Sequence, residues 1–226
     1  MKRINPQLRP VTVHDEMLAQ RCAQGRVVLI DDDSEILQAL SALIDMAGYA
    51  CETYTSGLAY LKVLAYNKPC FPGPCCVVCD VKMPDMDGLE LQRHLVQSHE
   101  TPLLIMSGAS GMDEAIIAFR GGVLDFLTKP IDADTLLLAV DKALKLSTER
   151  QQQCHHQTQL ATRIASLSQR ERDIASLVAQ GHTNPVIAQK LGIALRTVKL
   201  HRQRAMEKLG ANNLADLIRT SDAGGL

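Results

Sequence analysis

Between residues 26 and 146, short segments typical of buried strands alternate with segments of helical periodicity, and this alternation constrains the fold more than any other feature. The strand segments cover residues 27–30, 50–54, 76–79, 103–106 and 125–127. Apolar residues recur at helical spacing after the first of them, between Ile36 and Ile44, and similar stretches follow the others. Successive βα units make parallel strands, because each helix crosses over the sheet and covers one face. We therefore predict an α/β domain built on a doubly wound parallel sheet of five βα units.

Charged and polar side chains follow four of these strands at the point where each strand ends. They are Asp31, Asp32, Asp80, Ser107 and Lys129. The carboxyl ends of parallel strands lie along one edge of the sheet, where ligands bind at the topological switch point, so we expect these groups to converge. Three neighbouring carboxylates repel one another unless a divalent cation lies among them. The sequence therefore predicts a cation site at this edge.

A second, all-helical pattern follows. Ser168 and Glu171 are spaced as a capping box, and Asn184 before Pro185 is predicted to cap the next helix. A turn that contains Gly192 separates this helix from a third, cation-rich helix. Two short helices joined by such a turn are typical of a helix-turn-helix. We therefore predict a small all-α domain at the end of the chain.

These patterns divide the chain into four regions. They are an N-terminal extension (1–25), the α/β domain (26–146), a polar linker that is either a loose connection or a continuing helix (147–166), and the helix-turn-helix domain (167–226). Residues 1–146 carry 13 Lys and Arg against 19 Asp and Glu, a net charge of −6, whereas residues 147–226 carry 11 against 6, a net charge of +5. The basic half is therefore the candidate for contact with a polyanion.

Composition excludes several classes of protein. No apolar run approaches the roughly 18 residues that a membrane span needs, and no signal-peptide pattern follows Met1, so we expect a cytoplasmic protein without membrane contact. The seven cysteines are an odd number and fit free thiols in a reducing compartment. Four of them cluster between Cys70 and Cys79, but Cys76 and Cys79 on one strand face opposite sides and cannot share a zinc ion.

Residues 26–146 resemble the receiver domain of two-component response regulators. The resemblance rests on the acidic pair Asp31-Asp32, the stretch from Asp80 to Gly88, Ser107-Gly108 and Lys129-Pro130. It implies that Asp80 accepts a phosphoryl group from a phosphohistidine of a sensor histidine kinase.

The same resemblance implies roles for the neighbouring residues. Asp32 and Asp80 would bind Mg²⁺ (or Mn²⁺), with Asp31 acting through water and the backbone carbonyl of Lys82 completing the shell. Lys129, after which the peptide bond is cis in the family, would contact a phosphoryl oxygen. Ser107 would hydrogen-bond to the transferred group, and Phe126 would then change rotamer as the second part of the switch.

Residues 165–220 resemble the LuxR-type helix-turn-helix output domain of the NarL and FixJ families. The resemblance rests on residues 167–172, Gly181, Asn184, 187–188, 191–192, 197–199, His201 and 208–210. Pro185 and Ala194 depart from the family pattern, the second by removing a side-chain cap. The resemblance implies that Lys199, Leu200 and Gln203 contact bases. Arg196, Arg202 and Arg204 are candidates for phosphate contacts.

Together, the two resemblances imply a DNA-binding response regulator rather than an enzyme. Phosphorylation would favour a homodimer that binds paired half-sites in double-stranded promoter DNA and acts on RNA polymerase, with the linker either freeing the output domain or aligning two copies of it. The alternative is a phosphorylation-independent regulator that keeps the receiver as a dimerisation module. A haloacid-dehalogenase-type phosphatase is disfavoured because Glu35 stands where its motif needs Thr or Val, and dinucleotide binding because no G-x-G-x-x-G follows the first strand.

Overall fold

The parallel sheet predicted from the sequence is present in the computed structural model, which describes residues 25–66, 73–96, 101–108 and 112–224. Its strands are β1 (Arg26–Ile30), β2 (Ala50–Tyr54), β3 (Cys75–Asp80), β4 (Leu103–Ser107) and β5 (Asp125–Thr128). They pair in the order β2-β1-β3-β4-β5, and every pair is parallel. The chain leaves β1 in one direction for β2 and returns to the other side for β3, so the switch point lies between β1 and β3.

Helices cover both faces of this sheet. They are α1 (Ser34–Met46), α2 (Gly57–Tyr66), α3 (Gly88–Val96), α4 (Met112–Arg120) and α5 (Ala133–Ala165). On one face the strands pack with Tyr60, Leu91 and Ala118 from α2, α3 and α4, and on the other with residues of α1 and α5 such as Ile44 and Leu136. The doubly wound α/β prediction is therefore confirmed.

The strand cysteines belong to these two cores. Cys79 packs in the first core and Cys76 in the second, as the alternation of side chains along a strand requires. Burial raises the pKa of Cys75 to about 12 and also raises that of Cys79, so both thiols stay protonated near neutral pH. Cys76 and Cys79 therefore face opposite sides of the sheet, as expected for residues three apart on a strand, and Cys70 lies outside the described residues.

The structure divides into two compact units after Gln151, within the long helix α5. The first unit extends beyond the predicted end of the α/β domain at residue 146. Ser147 is buried and its Oγ accepts a hydrogen bond from the backbone N–H of Cys75 at 3.0 Å, while Gln151 donates to the carbonyl of Gly73 at 2.8 Å. The predicted linker, 147–166, is helical as far as Ala165. Of the predicted extension, only Gly25 is described.

The second unit contains the end of α5 and four further helices. They are α6 (Gln169–Ala179), α7 (Asn184–Leu191), α8 (Leu195–Leu209) and α9 (Leu214–Gly224). Ile174, Ile187 and Leu217 lie at the centre of its own core. The structure confirms the Ser168–Glu171 capping box and the left-handed turn at Gly192, which has φ of 63°.

The predicted cap of α7 is wrong by one residue. Thr183 is the N-cap and makes no side-chain capping bond, while Asn184 is the first helical residue. The Oδ1 of Asn184 instead accepts a hydrogen bond from Arg202 of α8 at 2.8 Å. A contact with a residue 18 positions away has replaced the local cap that the sequence pattern favours. In the described part of the chain, no helix combines the length and apolar character that crossing a membrane requires.

Candidate functional site

An ammonium group joins two buried carboxylates at the carboxyl edge of the sheet. Lys129 Nζ lies 2.6 Å from Asp31 Oδ2 and 2.6 Å from Asp80 Oδ1. Asp31 is only 1% exposed and Asp80 only 6% exposed. Charge-assisted hydrogen bonds of this length are strong, and an unpaired carboxylate would be costly in such surroundings. The contacts therefore form one connected polar site within the first unit.

The sheet register explains why these residues meet. Ile30 of β1 lies beside Cys79 of β3, so the next residues, Asp31 and Asp80, lie side by side where the strands end. Lys129 follows β5, and its backbone N–H donates to the carbonyl of Ser107 at 2.7 Å. Three segments far apart in sequence thus converge, as the strand-end pattern predicted.

Backbone amides hold the remaining carboxylate oxygens. The N–H of Lys82 donates to Asp80 Oδ2 at 2.7 Å, and the N–H of Asp33 donates to Asp31 Oδ1 at 3.0 Å. Asp33 itself caps α1, because its side chain accepts hydrogen bonds from the backbone N–H groups of Glu35 and Ile36. The orientation of both buried carboxylates is therefore fixed from two sides.

Electrostatics keep Lys129 charged. Burial by itself lowers its pKa, but hydrogen bonds and charge attraction from Asp31 and Asp80 outweigh that effect and raise the pKa above its usual value. The side chain of Lys129 is 20% exposed, so a ligand can approach the ammonium from solvent. The site therefore presents a permanent positive charge next to an oriented carboxylate.

Asp32 is placed differently from its neighbour. Its side chain is exposed, whereas that of Asp31 is buried, because adjacent residues at a strand end point in opposite directions. Within the described ranges, no three His, Cys, Asp or Glu side chains are grouped so that they could hold a metal ion. The structure thus brings together two of the three predicted carboxylates, with Lys129 between them.

The chemistry of the site fits a divalent cation. Two carboxylates and one ammonium leave one uncompensated negative charge, and Asp32 adds another close by in sequence. Carboxylate and carbonyl oxygens are the hard ligands that Mg²⁺ and Mn²⁺ prefer. The donor types at this edge therefore suit the predicted ion, whereas Asp31, Asp32 and Asp80 do not form a three-ligand cluster in the described structure.

Gly88 lies against the backbone of the candidate acceptor. A Cβ atom at Gly88 would be 2.5 Å from the carbonyl oxygen of Asp80, a separation that no side chain tolerates. Gly88 ends the stretch from Asp80 that carries the family resemblance, and this close approach explains why a glycine stands there. Asp87 caps the following helix, its Oδ1 accepting from the N–H of Glu90 at 2.5 Å.

The two predicted switch residues lie on adjacent strands beside this site. Ser107 ends β4 and is 2% exposed, and Phe126 in β5 is half-buried against the first core. The Lys129–Pro130 peptide bond is cis, as the family resemblance implies. Ser107 and Lys129 therefore lie at the same edge of the sheet as Asp31 and Asp80, and Phe126 lies on the neighbouring strand β5.

The second unit presents a polar face on α8. Lys199, Leu200 and Gln203, the predicted base-contacting residues, are exposed, and Leu200 keeps 46% of its surface accessible. Arg196 and Arg204 are exposed as well. In contrast, Val198 is fully buried in the core of this unit. The apolar side of α8 thus packs inward, and its cationic side faces outward.

Arg202 is placed differently from the other predicted phosphate contacts. It is half-buried and donates to Asn184 at 2.8 Å, so one edge of its guanidinium ties α7 to α8. Lys199, Gln203 and Met206 line a cavity of about 460 Å³ beside this contact. This pairing was not predictable from the sequence, because residue spacing alone does not reveal contacts between helices.

An ion pair between an exposed lysine and a buried carboxylate fixes the end of α8. Lys208 Nζ lies 2.6 Å from Glu171 Oε2, which also accepts the backbone N–H of Ser168 at 2.8 Å. The hydrogen bond from Lys208, helped by that from Ser168, lowers the pKa of Glu171 to about 2. The capping-box pattern predicted the Glu171–Ser168 part of this arrangement, but nothing in the sequence pointed to Lys208.

Comparison with known proteins covers both units. The family model described as "Response regulator receiver domain" matches residues 27–141, and that described as "Bacterial regulatory proteins, luxR family" matches residues 165–221. Response regulator protein TmoT of Ectopseudomonas mendocina is 33% identical over 197 residues, which are 87% of each chain. Transcriptional regulatory protein FixJ of Bradyrhizobium diazoefficiens is 33% identical over 206 residues, 90% of this chain and 97% of FixJ.

Solved structures agree with these matches. The structure of the response regulator StyR is 33% identical and superimposes with a TM-score of 0.80, covering 88% of this chain and 99% of StyR. Full-length FixJ from B. japonicum is 32% identical with a TM-score of 0.53, covering 90% and 98% of the two chains. The chain therefore belongs to the two-component response regulators of the NarL/FixJ family, in which a receiver domain precedes a LuxR-type DNA-binding domain that serves transcription regulation.

Proposed function

We propose that Asp80 is the phosphoryl acceptor and that its phosphorylation controls DNA binding by the second unit. The observation that carries this proposal is the double contact of Lys129 with Asp31 and Asp80, each at 2.6 Å. A fixed cation beside a buried carboxylate neutralises the repulsion that an incoming phosphoryl group would otherwise meet. The phosphoryl donor is the phosphohistidine of a sensor histidine kinase, the partner that a receiver domain implies.

The transfer is a single displacement at phosphorus. A carboxylate oxygen of Asp80 forms the new O–P bond, the P–N bond to the kinase histidine breaks, and its electron pair stays on the imidazole nitrogen. The Lys82 N–H holds Asp80 Oδ2 in place, and the Lys129 ammonium stabilises the negative charge on the phosphoryl oxygens. Asp31, Asp32, Asp80 and the backbone carbonyl of Lys82 would hold Mg²⁺ (or Mn²⁺), which supplies further charge neutralisation when bound.

Ser107 and Phe126 are proposed to report the new charge. The hydroxyl of Ser107 hydrogen-bonds to the phosphoryl group, and Phe126, half-buried on the neighbouring strand, changes rotamer in response. This local change favours a homodimer. In this proposal the protein acts as a signalling acceptor rather than as an enzyme on an external substrate, and the covalent chemistry proposed for it is gain and loss of the phosphoryl group at Asp80.

The dimer is proposed to bind paired half-sites in promoter DNA and to act on RNA polymerase, all within the cytoplasm. Lys199, Leu200 and Gln203 on the exposed side of α8 contact base edges. Arg196 and Arg204 contact phosphates, and so does the edge of Arg202 that Asn184 leaves free. The net charge of +5 over residues 147–226 supports this contact with a polyanion.

The test is to incubate the full chain with Mg²⁺ and acetyl phosphate, locate the modified residue by mass spectrometry, and measure binding to promoter DNA before and after. We expect the label on Asp80, none in Asp80→Asn, and tighter DNA binding by a dimer after labelling. The matched control is Asp85→Asn, an exposed carboxylate in the same loop, which should label normally.

Two outcomes would contradict the proposal. A label that persists in Asp80→Asn would place the acceptor elsewhere. DNA binding that is equal in labelled protein and in Asp80→Asn would support the phosphorylation-independent regulator instead.

A further inference from the structure

Two hydrogen bonds run in opposite directions between the end of α5 and the last turn of α8, both inside the second unit. Arg163 Nη1 of α5 donates to the carbonyl oxygen of Leu209, the last residue of α8, at 3.3 Å. In return, Lys208 Nζ of α8 donates to the carbonyl oxygen of Ser166, just beyond α5, at 3.0 Å. Each helix end thus supplies a cation to the carbonyl end of the other.

The carbonyl of Leu209 needs such a partner. The last carbonyls of a helix have no intrahelical donor, and here the N–H of Gly210 donates to Glu207 at 3.2 Å and that of Ala211 to Met206 at 2.9 Å. Gly210, with φ of 70°, turns the chain away from the helix axis. The guanidinium of Arg163 then contacts the Leu209 carbonyl, where the helix dipole favours a positive charge.

Lys208, which donates the second of these hydrogen bonds, has a further partner. Lys208 also forms the ion pair with Glu171, whose side chain is only 5% exposed. The attachment of Lys208 therefore depends on the capping box of α6, and removing it would leave a buried carboxylate without its cation. Arg163 has an exposed side chain and no buried partner of this kind, so it can be changed without that penalty.

The last turn of α8 lies two turns from Lys199 and one turn from Gln203, the residues proposed to read bases. Base-edge hydrogen bonds require correct distance and direction, whereas contact with phosphates tolerates small rotations of a helix. A restraint at one end of α8 therefore affects recognition of sequence more than general attraction to DNA.

We propose that Arg163 is a positioning residue for sequence recognition: by holding the carbonyl end of α8, it sets the orientation in which Lys199 and Gln203 meet the bases. Arg163 itself does not contact DNA in this account. The inference rests on the proposed DNA binding by α8, and it extends that function to a residue outside the helix-turn-helix.

Three variants of the full chain test this role. Arg163→Gln removes the charge, Arg163→Lys retains it near the Leu209 carbonyl, and Arg219→Gln is the matched control. Arg219 is an exposed arginine of the same unit whose hydrogen bond goes to Asp216 within α9. Circular dichroism verifies that each variant keeps its helical content.

The measurement compares two DNA duplexes of equal length. One is selected from a random pool by the phosphorylated wild-type protein, and the other is a scrambled version of it. Fluorescence anisotropy gives the affinity for both at several salt concentrations. We expect Arg163→Gln to weaken binding to the selected duplex about two- to fivefold, the change that a helix-end charge interaction provides. The affinity of Arg163→Gln for the scrambled duplex and the salt dependence of its binding should stay as in wild type. The affinity of Arg163→Lys for the selected duplex should fall between those of wild type and Arg163→Gln. Arg219→Gln should bind both duplexes as wild type does.

Other results overturn the proposal in distinct ways. A salt dependence that is shallower by about one phosphate contact for both duplexes would make Arg163 a direct DNA contact. Equal losses on both duplexes, or none on either, would leave it without a positioning role. If Arg163→Gln loses helical content, the affinities of Arg163→Lys for the selected and the scrambled duplex are compared instead. An equal loss of affinity for both duplexes in Arg163→Lys counts against the proposal. Failure of the wild-type protein to select any sequence would instead overturn the proposed function.

Discussion

Lys129 is the residue on which the acceptor site depends most directly. Asp31 directly follows β1 and Asp80 ends the adjacent strand β3, and two buried carboxylates that lie side by side repel each other strongly. The ammonium lies 2.6 Å from both, and the attraction is mutual, because the two carboxylates also raise the pKa of Lys129. One side chain therefore stabilises the charge of the resting site and is available to stabilise the added charge of a phosphoryl group.

Replacing this ammonium by an apolar side chain should slow phosphorylation. We expect Lys129→Met to react with acetyl phosphate about 100-fold more slowly than wild type, since loss of one oriented charge-stabilising group costs 10²–10³ in rate. The rate is measured by mass spectrometry of the intact protein over time. Lys145→Met serves as the control, because Lys145 is an exposed lysine paired with Asp141 on α5. An unchanged rate in Lys129→Met would mean that its contact with Asp80 has no role in transfer.

At this scale the sequence predicted which residues meet but not how they are paired. Asp31, Asp80, Ser107 and Lys129 were identifiable because each follows a strand, and parallel strands align their carboxyl ends. The burial of Asp31 in place of Asp32 was not predictable, because it depends on which side of the strand end each residue faces. The bonds from Arg202 to Asn184 and from Lys208 to Glu171 link helices that only the tertiary fold brings together.

Among the helices, α6 and α8 are joined by a contact that responds to pH. The hydrogen bond from Lys208 lowers the pKa of Glu171 from 4.5 to about 2. A carboxylate with a lowered pKa in the folded state contributes stability above its unfolded pKa and loses that contribution as the pH falls through the folded value. The second unit should therefore lose stability between about pH 4.5 and pH 2 through this residue.

Replacing Glu171 should remove that dependence. We expect Glu171→Gln to be less stable than wild type at neutral pH, with a difference that shrinks as the pH falls towards 2. The probe is the NMR signal of the Ile174 amide in the full chain, followed during urea unfolding at each pH. Asp173→Asn is the control, since this neighbouring carboxylate accepts a hydrogen bond from the neutral amide of Gln169. A constant difference between Glu171→Gln and wild type across this pH range would contradict the assignment.

Helices and strands were predicted well from the sequence where the segment has an apolar face, and poorly where the segment has no apolar face. The five strands match their predicted bounds to within a few residues, and the predicted apolar stretch from Ile36 to Ile44 lies inside α1, because these segments carry a clear apolar pattern. Between residues 147 and 159 the chain carries no large apolar side chain, so periodicity could not distinguish a linker from a helix there. The structure shows that α5 continues to Ala165. Ser147 accepts a hydrogen bond from the backbone N–H of Cys75, and Gln151 donates one to the carbonyl of Gly73.

The described residues form three hydrophobic clusters that share no residue, two in the first unit and one in the second. The sheet and its helices enclose two clusters in the first unit, whereas Ile174, Ile187 and Leu217 belong to a separate cluster in the second. The charges are separated in the same way, with the negative excess in residues 1–146 and the positive excess in residues 147–226. Phosphoryl acceptance and DNA contact are therefore assigned to units that each have their own source of stability.

This separation predicts that damage to one core spares the chemistry of the other unit. Ile187 is fully buried, and Ile187→Ala should lower the free energy of unfolding of the second unit by about 2–5 kcal/mol. Phosphorylation of Asp80 by acetyl phosphate should proceed at the wild-type rate, while DNA binding weakens. Ile105→Ala, at an equally buried position in β4, is the reciprocal control and should impair phosphorylation.

The aromatic residues allow the two units to be followed separately in the full chain. Tryptophan is absent and all four tyrosines lie between Tyr49 and Tyr66, so tyrosine fluorescence reports the first unit, whereas far-ultraviolet circular dichroism reports the helices of both. In urea, Ile187→Ala should unfold earlier by circular dichroism and keep the wild-type fluorescence midpoint. If both midpoints moved together and phosphorylation slowed as in Ile105→Ala, the two units would be one cooperative structure. Asp80 would then depend on the packing around α8 even before any phosphoryl group arrives.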